Sequence, residues 1–107
     1  MSKSPYIIAL TTFATKKKAE EISKTLVKKG LAACVNIIDR VNSIYRWEDK
    51  IVSEKEILIL IKTLSSNREK IKKFIKNYHT YENPELIFIS VDDGLKKYLK
   101  WIEKEVK

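Results

Sequence analysis

The segment from residue 31 to residue 63 has the pattern of one β-hairpin with unusually long arms. Residues 31–47 and 51–63 are rich in β-branched, aromatic and other apolar side chains, and the polar residues 48–50 between them are typical of a turn. An arm of 17 residues would reach roughly 56 Å if fully extended, and less if a bulge near Asp39 and Arg40 bends it. A helix of about 14 residues covers only about 21 Å, so helices of ordinary length cannot cover this hairpin.

The outer part of the hairpin therefore exposes apolar side chains along strand edges that the rest of the chain cannot pair. Such ribbons aggregate unless another chain covers them. We expect an obligate homo-oligomer built by exchange of hairpins between subunits, and the alternative is a monomer with a protruding hairpin. The apolar residues of this outer part are Val41, Ile44, Tyr45, Trp47, Ile51 and Val52.

Strand-like and helix-like segments flank the hairpin on both sides. Residues 6–12 are typical of a buried strand, and from Thr15 apolar residues recur at helical spacing until Gly30, which is expected to cap the helix. Ser66 and Glu69 have the spacing of a capping box, which predicts the start of a second helix. Residues 85–91 predict a last strand, and the acidic residues 92–93 the start of a third helix.

The order of these elements is β-α-β-β-α-β with a C-terminal helix. It predicts an α+β fold of the ferredoxin-like, split βαβ type, in which two helices cover one face of a four-stranded sheet. No linker or repeat interrupts the 107 residues, so we predict a single domain over residues 1–107. No apolar stretch is long enough to span a membrane, and the N-terminus lacks a signal-peptide pattern. We therefore expect a cytoplasmic protein with no membrane partner.

The positive charge of the chain comes almost entirely from lysine. Of its 22 cationic residues only three are arginines, and with 14 acidic residues the formal net charge is +8. Nucleic-acid binding relies on arginine forks and interleaved aromatic residues, so we expect solvated lysine faces and no nucleic-acid partner. A composition rich in lysine and glutamate, with two glycines and no glutamine, is typical of heat-adapted proteins. We expect a thermostable protein.

The residues give little support for catalysis. The single cysteine, Cys34, and the single histidine, His79, lie far apart in sequence, and no third residue has the spacing of a nucleophilic site. The two glycines, Gly30 and Gly94, sit at predicted helix ends and cannot build a phosphate-binding loop. We expect a protein that is not an enzyme.

Cys34, His79 and Glu82 are the candidate metal ligands. Thiolate, imidazole and carboxylate groups together suit copper or zinc, and His79 and Glu82 share a polar loop before Pro84. Each residue also has an ordinary explanation: Cys34 as a small buried residue in a strand, His79 as the cap of the preceding helix, and Glu82 as a surface carboxylate. Because one chain offers few ligands, a tight site would draw on neighbouring subunits.

A set of segments spread over the whole chain carries a family resemblance. In their order and combination they resemble the CutA-type divalent-cation tolerance proteins. The resemblance implies a cytoplasmic homotrimer of ferredoxin-like subunits, similar in architecture to the PII signalling proteins and linked to tolerance of copper and other divalent ions. The matching segments are residues 11–12, 31–37, 43–47, 56–58, 61–63, 79–84 and 98–102.

The resemblance also implies roles for the candidate ligands. Cys34 matches the family's cysteine after two alanines, and His79 and Glu82 match its His-Pro-Tyr-Glu-like motif, in which Thr80 here replaces the proline. Two functions follow. The first is a homotrimer, held by the long hairpin, that binds copper or another divalent cation as a buffer or sensor. The second is a PII-like signalling or scaffold trimer that binds a small anionic ligand or a partner protein in clefts between subunits, which the surplus of lysine favours.

Overall fold

An antiparallel sheet and three α-helices form the α+β fold of residues 4–107, which the computed structural model describes. The elements are β1 Tyr6–Phe13, α1 Lys16–Lys28, β2 Cys34–Trp47, β3 Lys50–Leu64, a 3₁₀ turn Ser65–Asn67, α2 Arg68–Tyr78, β4 Ile87–Ser90 and α3 Lys96–Glu105. The strand order is β2-β3-β1-β4, so each β-α-β unit encloses one strand of the other unit. This arrangement confirms the predicted split βαβ fold.

The core lies between one face of the sheet and helices α1 and α2. Alternate residues of the two central strands point into it, because successive side chains of a strand face opposite sides. Apolar residues at helical spacing on α1 and α2 form the other side of the core. The buried cluster contains Ala9, Phe13, Ala19, Ile22, Leu26, Ala32, Ile57, Ile59, Ile61, Ile71, Phe74 and Ile75.

Helix α1 has a side-chain cap at its start and a glycine cap at its end. The Thr15 hydroxyl accepts the backbone N–H of Lys18 at 3.2 Å. Gly30 has a φ of +73°, and the backbone N–H of Leu31 returns to the Leu26 carbonyl at 2.9 Å, which is the Schellman pattern. The backbone N–H of Lys107 also donates to the Gly30 carbonyl at 2.8 Å. The predicted glycine cap is confirmed, and the C-terminal residue packs on it.

The predicted starts of the other two helices are wrong. Ser66 lies in the 3₁₀ turn, and α2 follows Asn67, whose side chain caps nothing. Instead the Asn67 side-chain amide reaches the Leu31 carbonyl at 3.3 Å, so a tertiary contact takes the place of the capping box. Helix α3 begins after Leu95, and in the loop before it the Asp93 carboxylate accepts the N–H of Gly94 at 2.8 Å.

The hairpin of β2 and β3 extends far beyond the rest of the sheet. Its strands pair from Cys34 opposite Lys62 to Trp47 opposite Lys50, and a bulge lies between Ile38 and Val41, at the position that the sequence allowed for one. Its two turn residues, Glu48 and Asp49, have φ values of 49° and 64°. Positive φ at both positions is the type I′ geometry that matches the twist of the flanking strands.

The outer half of β3 has an unpaired edge. Strand β1 pairs with β3 only along Ile57–Leu64, so residues 50–56 contact β2 on one side and no strand of the described residues on the other. Ile44, Trp47 and Ile51 are 70%, 50% and 66% exposed here, as the sequence predicted, while Val41 and Val52 are half-buried. The apolar ribbon with a free edge is therefore present.

Helix α3 lies on the opposite side of the sheet from α1 and α2. The Lys62 ammonium sits 5.7 Å from the centre of the Tyr98 ring, and Lys62 alternates with the core-facing Ile61 and Thr63. Among the apolar residues in and directly before α3, Ile102 is buried, Leu99 is half-buried, and Leu95 and Tyr98 are exposed. No helix within residues 4–107 is long and apolar enough to cross a membrane.

Candidate functional site

A cleft of about 890 Å³ opens between the outer hairpin and the loop that follows α2. The hairpin contributes one wall, the loop contributes the other, and the end of β1 forms the floor. We call it the acidic cleft because four glutamates line it. Its lining residues are Thr12, Ser43, Ile44, Tyr45, Arg46, Trp47, Val52, Glu54, Glu56, Tyr81, Glu82, Asn83 and Glu85.

His79 fixes the loop to the end of β1. Its backbone N–H donates to the Ile75 carbonyl at 2.9 Å and ends α2. Its ring stacks on Phe13 with the ring centres 4.3 Å apart. Nε2 lies 2.6 Å from the Thr12 carbonyl oxygen, and Nδ1 accepts the backbone N–H of Tyr81 at 3.0 Å.

These contacts assign the tautomer of His79. Because the Thr12 carbonyl can only accept, Nε2 carries the proton, and because the Tyr81 amide can only donate, Nδ1 carries the lone pair. Burial lowers the pKa of His79 below its usual value, and the bond to the Thr12 carbonyl opposes part of this shift. His79 is therefore a neutral imidazole with both nitrogens in hydrogen bonds.

Tyr81 joins the loop to the hairpin through a carboxylate. Its hydroxyl donates to Oε2 of Glu56 at 2.7 Å, and Glu56 is only 8% exposed. Burial, followed by the bond to Glu56, raises the pKa of Tyr81 above its usual value. The phenol thus stays protonated and satisfies one oxygen of a nearly buried glutamate.

The remaining glutamates give the cleft its negative potential. Glu54, Glu56, Glu82 and Glu85 line it, whereas its one cationic lining residue is Arg46. The Tyr45 hydroxyl donates to Glu54, and this bond raises the pKa of Tyr45. Burial, followed by repulsion from Glu56, raises the pKa of Glu85. A cleft lined by carboxylates has a negative potential that attracts cations, and oxygen ligands of this kind suit divalent ions.

Two of the three predicted ligands share the loop after α2, and the third lies apart from them. Glu82 lines the cleft, whereas His79 is not among its lining residues and is bonded to Thr12 and Tyr81. Cys34 pairs with Lys62, whereas Thr12 pairs with Leu58. Those positions on β3 are four residues, or about 13 Å, apart.

No group of three His, Cys, Asp or Glu side chains among residues 4–107 lies close enough to hold a metal ion. A site that used Cys34, His79 and Glu82 together would therefore need ligands from more than one chain. Their role as metal ligands stays a prediction.

Three of the cleft's glutamates were not predicted from the sequence. Glu54 and Glu56 are two residues apart in β3, so they share a face of the strand, and Glu85 follows Pro84 in the same loop as Glu82. The i, i+2 spacing of two glutamates in a predicted strand was the available signal. Their proximity to Glu82 depends on how the loop folds against the hairpin, which spacing alone does not predict.

Comparison with known proteins gives a consistent result. The family model described as CutA1 divalent ion tolerance protein matches residues 7–105. The divalent-cation tolerance protein CutA of Pyrococcus horikoshii is 42% identical over 101 residues, which cover 94% of this chain and 98% of that protein. The human protein CutA is 41% identical over 96 residues, which cover 90% of this chain but only 54% of that protein.

Solved structures agree with the sequence comparison. The divalent cation tolerance protein of Thermus thermophilus superimposes with a TM-score of 0.92 at 35% identity and covers 95% of this chain and 99% of that chain. The similarity extends along the hairpin, both flanking helices and the loop that contains His79 and Glu82. The chain belongs to the CutA family of divalent-cation tolerance proteins.

Proposed function

We propose that this protein is a homotrimer that binds divalent cations, copper among them, and acts as a buffer or sensor rather than as an enzyme. The observation that carries the proposal is the acidic cleft. Four glutamates line it on a chain whose formal net charge is +8. A site with this charge attracts cations despite the charge of the rest of the molecule, since screening limits the reach of distant lysines to about 8 Å.

The hairpin supports association between copies of the chain. Residues 50–56 offer a free strand edge, and Ile44, Trp47 and Ile51 expose apolar surface beside it. A second copy that pairs with this edge would satisfy its backbone groups and cover the apolar ribbon in one step. The number of subunits, three, rests on the family.

We propose Glu82 as the first ligand and His79 and Cys34 as further ligands. His79 becomes available when Nδ1 releases the amide of Tyr81, so cation binding through this ring would reorder the loop. Cys34 can contribute only from another copy, because it lies at the opposite end of the paired region of β3. Thiolate and imidazole ligands beside carboxylates would favour copper or zinc over magnesium or calcium.

Native mass spectrometry with and without stoichiometric Cu(II) tests assembly and binding together. Titration calorimetry then compares the wild type with Glu82→Gln, His79→Ala and Cys34→Ser, and with Glu105→Gln on the exposed end of α3 as the control. We expect the first two variants to weaken Cu(II) binding at least tenfold, which is about 1.4 kcal/mol, and the control to leave it unchanged. A trimer that takes up no copper would contradict the metal function and retain the assembly.

The PII-like function makes a different prediction. A small anion in the acidic cleft would face four carboxylates, so an anionic ligand is disfavoured there by charge repulsion. A thermal-shift screen of nucleotides and small organic anions separates the two functions. Stabilisation by an anion, with no response to Cu(II), would favour the signalling trimer.

We also propose that the protein works in the cytoplasm. The proposal rests on the single cysteine, Cys34, which can form no disulfide within the chain and so suits a reducing compartment. Fractionation of the producing cells, with the untagged protein detected by antibody, tests this location. Recovery in an exported fraction would overturn it.

A further inference from the structure

The net charge of the protein is concentrated on one layer. Helix α1 with its capping residue Lys29, together with α2, carries eleven cationic and three acidic side chains. Their balance of eight positive charges equals the formal net charge of the whole chain. The rest of the molecule, which includes the acidic cleft, is therefore neutral overall. We call the solvent-facing side of these two helices the basic helix face.

The cationic side chains of this face are largely free of acidic partners. Lys18 pairs with Glu21 at 3.3 Å, and Lys72 pairs with Glu69 at 3.1 Å. These are the only ion pairs within residues 4–107, so nine of the eleven cations in the layer have none. All of the lysines except Lys18 are exposed.

The two helices lie on the same side of the sheet. Both pack on it through Ile22, Leu26, Ile71 and Ile75, which directs their lysines away from it. Side chains three or four residues apart on one helix lie about 5–6 Å from each other, so each helix carries a closely spaced row of lysines. The basic helix face is thus a closely spaced array of positive charges.

The chemistry of the array selects its partner. It contains a single arginine, Arg68, whose guanidinium lies 5.5 Å from the Phe88 ring centre, so it lacks the forks that read bases. Helix α1 contains no aromatic residue, and in α2 only Tyr78 is exposed, so it lacks a stacking platform for single strands. Lysine ammonium groups bind repeated phosphates as point charges, without recognising any other group of the polymer.

We propose that the basic helix face binds inorganic polyphosphate, a flexible linear polyanion with a charge on every unit. Release of condensed counterions favours polyanions of high linear charge density, and an extended acidic polypeptide carries at most one charge per about 3.3 Å. A DNA duplex has a higher charge density, but with a persistence length of about 50 nm it stays straight over this face, whereas a flexible single chain can contact the lysines of both helices. The surface is separate from the acidic cleft and does not depend on the cation function.

Fluorescence anisotropy of labelled long-chain inorganic polyphosphate tests the proposal. The titration uses metal-free protein in EDTA and a series of NaCl concentrations. One variant combines Lys24→Gln, Lys28→Gln, Lys73→Gln and Lys76→Gln on the basic helix face. The matched control combines Lys96→Gln, Lys97→Gln, Lys100→Gln and Lys104→Gln, which removes the same charge from α3 on the opposite side of the sheet.

We expect the helix-face variant to bind polyphosphate at least tenfold more weakly than the wild type, with a shallower salt dependence, and the α3 variant to stay within about twofold. Circular dichroism should show both variants folded, because every substituted lysine is exposed. Equal loss in the two variants, no binding by the wild type, or displacement of polyphosphate by an equal charge of duplex DNA or polyglutamate would each overturn the proposal.

Discussion

Two buried threonines on neighbouring strands differ in what their hydroxyls contact. Thr63, fully buried in β3, donates to the Leu31 carbonyl at 2.6 Å. Thr11, fully buried in β1, has no hydrogen-bond partner for its hydroxyl among the described residues. A buried hydroxyl without a partner retains the cost of its lost hydration.

We predict that Thr11→Val stabilises the protein by about 1 kcal/mol and that Thr63→Val destabilises it by a similar amount. Both changes keep the shape of the side chain, so the hydroxyl is the difference. Urea unfolding at one fixed protein concentration measures both. Loss of stability in Thr11→Val would show that its hydroxyl has a partner after all, such as a water molecule.

A second residue-level prediction concerns His79 and pH. Because burial lowers its pKa in the folded protein, the unfolded chain binds a proton at a higher pH than the folded chain does. Stability therefore falls as pH drops through the ordinary histidine pKa of about 6.5 and continues to fall until the lower, folded pKa is reached. Protonation also turns Nδ1 from an acceptor into a donor that faces the N–H of Tyr81.

Unfolding curves at neutral pH and at about pH 5 should show this loss in the wild type. In His79→Gln the part of the loss that belongs to the imidazole should disappear, leaving a smaller pH dependence from the carboxylates. An identical pH dependence in both proteins would mean that His79 is protonated as easily in the folded state as in the unfolded state.

Among the elements, helix α1 ends at a position that requires glycine for two separate reasons, its backbone conformation and its close contact with Lys107. At Gly30 the φ of +73° disfavours any side chain, and a Cβ would lie 2.0 Å from Cγ of Lys107. Gly94 has no positive φ, and a Cβ there would meet only the flexible Leu99 side chain, at 3.3 Å. The two glycines of the chain therefore form a natural comparison.

We predict that Gly30→Ala destabilises the protein by about 2 kcal/mol or more, since the left-handed conformation alone costs about 1–2 kcal/mol, and that Gly94→Ala costs less. Thermal or urea unfolding of the two variants measures the difference. Equal effects would show that the C-terminal residue moves away from Gly30 without cost.

The elements also show how far the sequence determines the fold. Apolar periodicity predicted each strand and helix, and a bulge near Asp39 and Arg40 was considered as one way in which the arm would be shortened. The start of α2 was wrong because Asn67 bonds to the Leu31 carbonyl, a contact with a distant part of the chain. The acidic cleft was missed in part for the same reason, because Glu56 and Glu82 become neighbours only when the loop packs on the hairpin.

At the scale of the whole molecule, the long hairpin governs association. Trp47 is 50% exposed near the hairpin tip, on a strand that pairs only with its partner arm there. A large aromatic residue in such a position typically anchors an interface. Tyr78 is similarly exposed, at 54%, but belongs to helix α2, where its ring packs on Phe74 with the ring centres 4.9 Å apart.

We predict that Trp47→Ala weakens the trimer, with dissociation visible on dilution and a lower unfolding temperature, while Tyr78→Ala leaves both unchanged. Light scattering coupled to size-exclusion chromatography over a range of concentrations measures the assembly. A Trp47→Ala protein that stays trimeric and equally heat-stable would show that the tip takes no part in association.

Strand β3 has two different environments along its length. Its inner half, Ile57–Leu64, lies between two neighbouring strands, whereas residues 50–56 have one neighbour and a free edge. Backbone amides of the inner half are shielded by the fold itself, and outward-facing amides of the outer half exchange with solvent unless another chain covers them. Hydrogen-exchange mass spectrometry of this one strand would therefore measure two properties. Amide protection in the inner half reports whether the chain is folded, and amide protection in the outer half reports whether it is assembled.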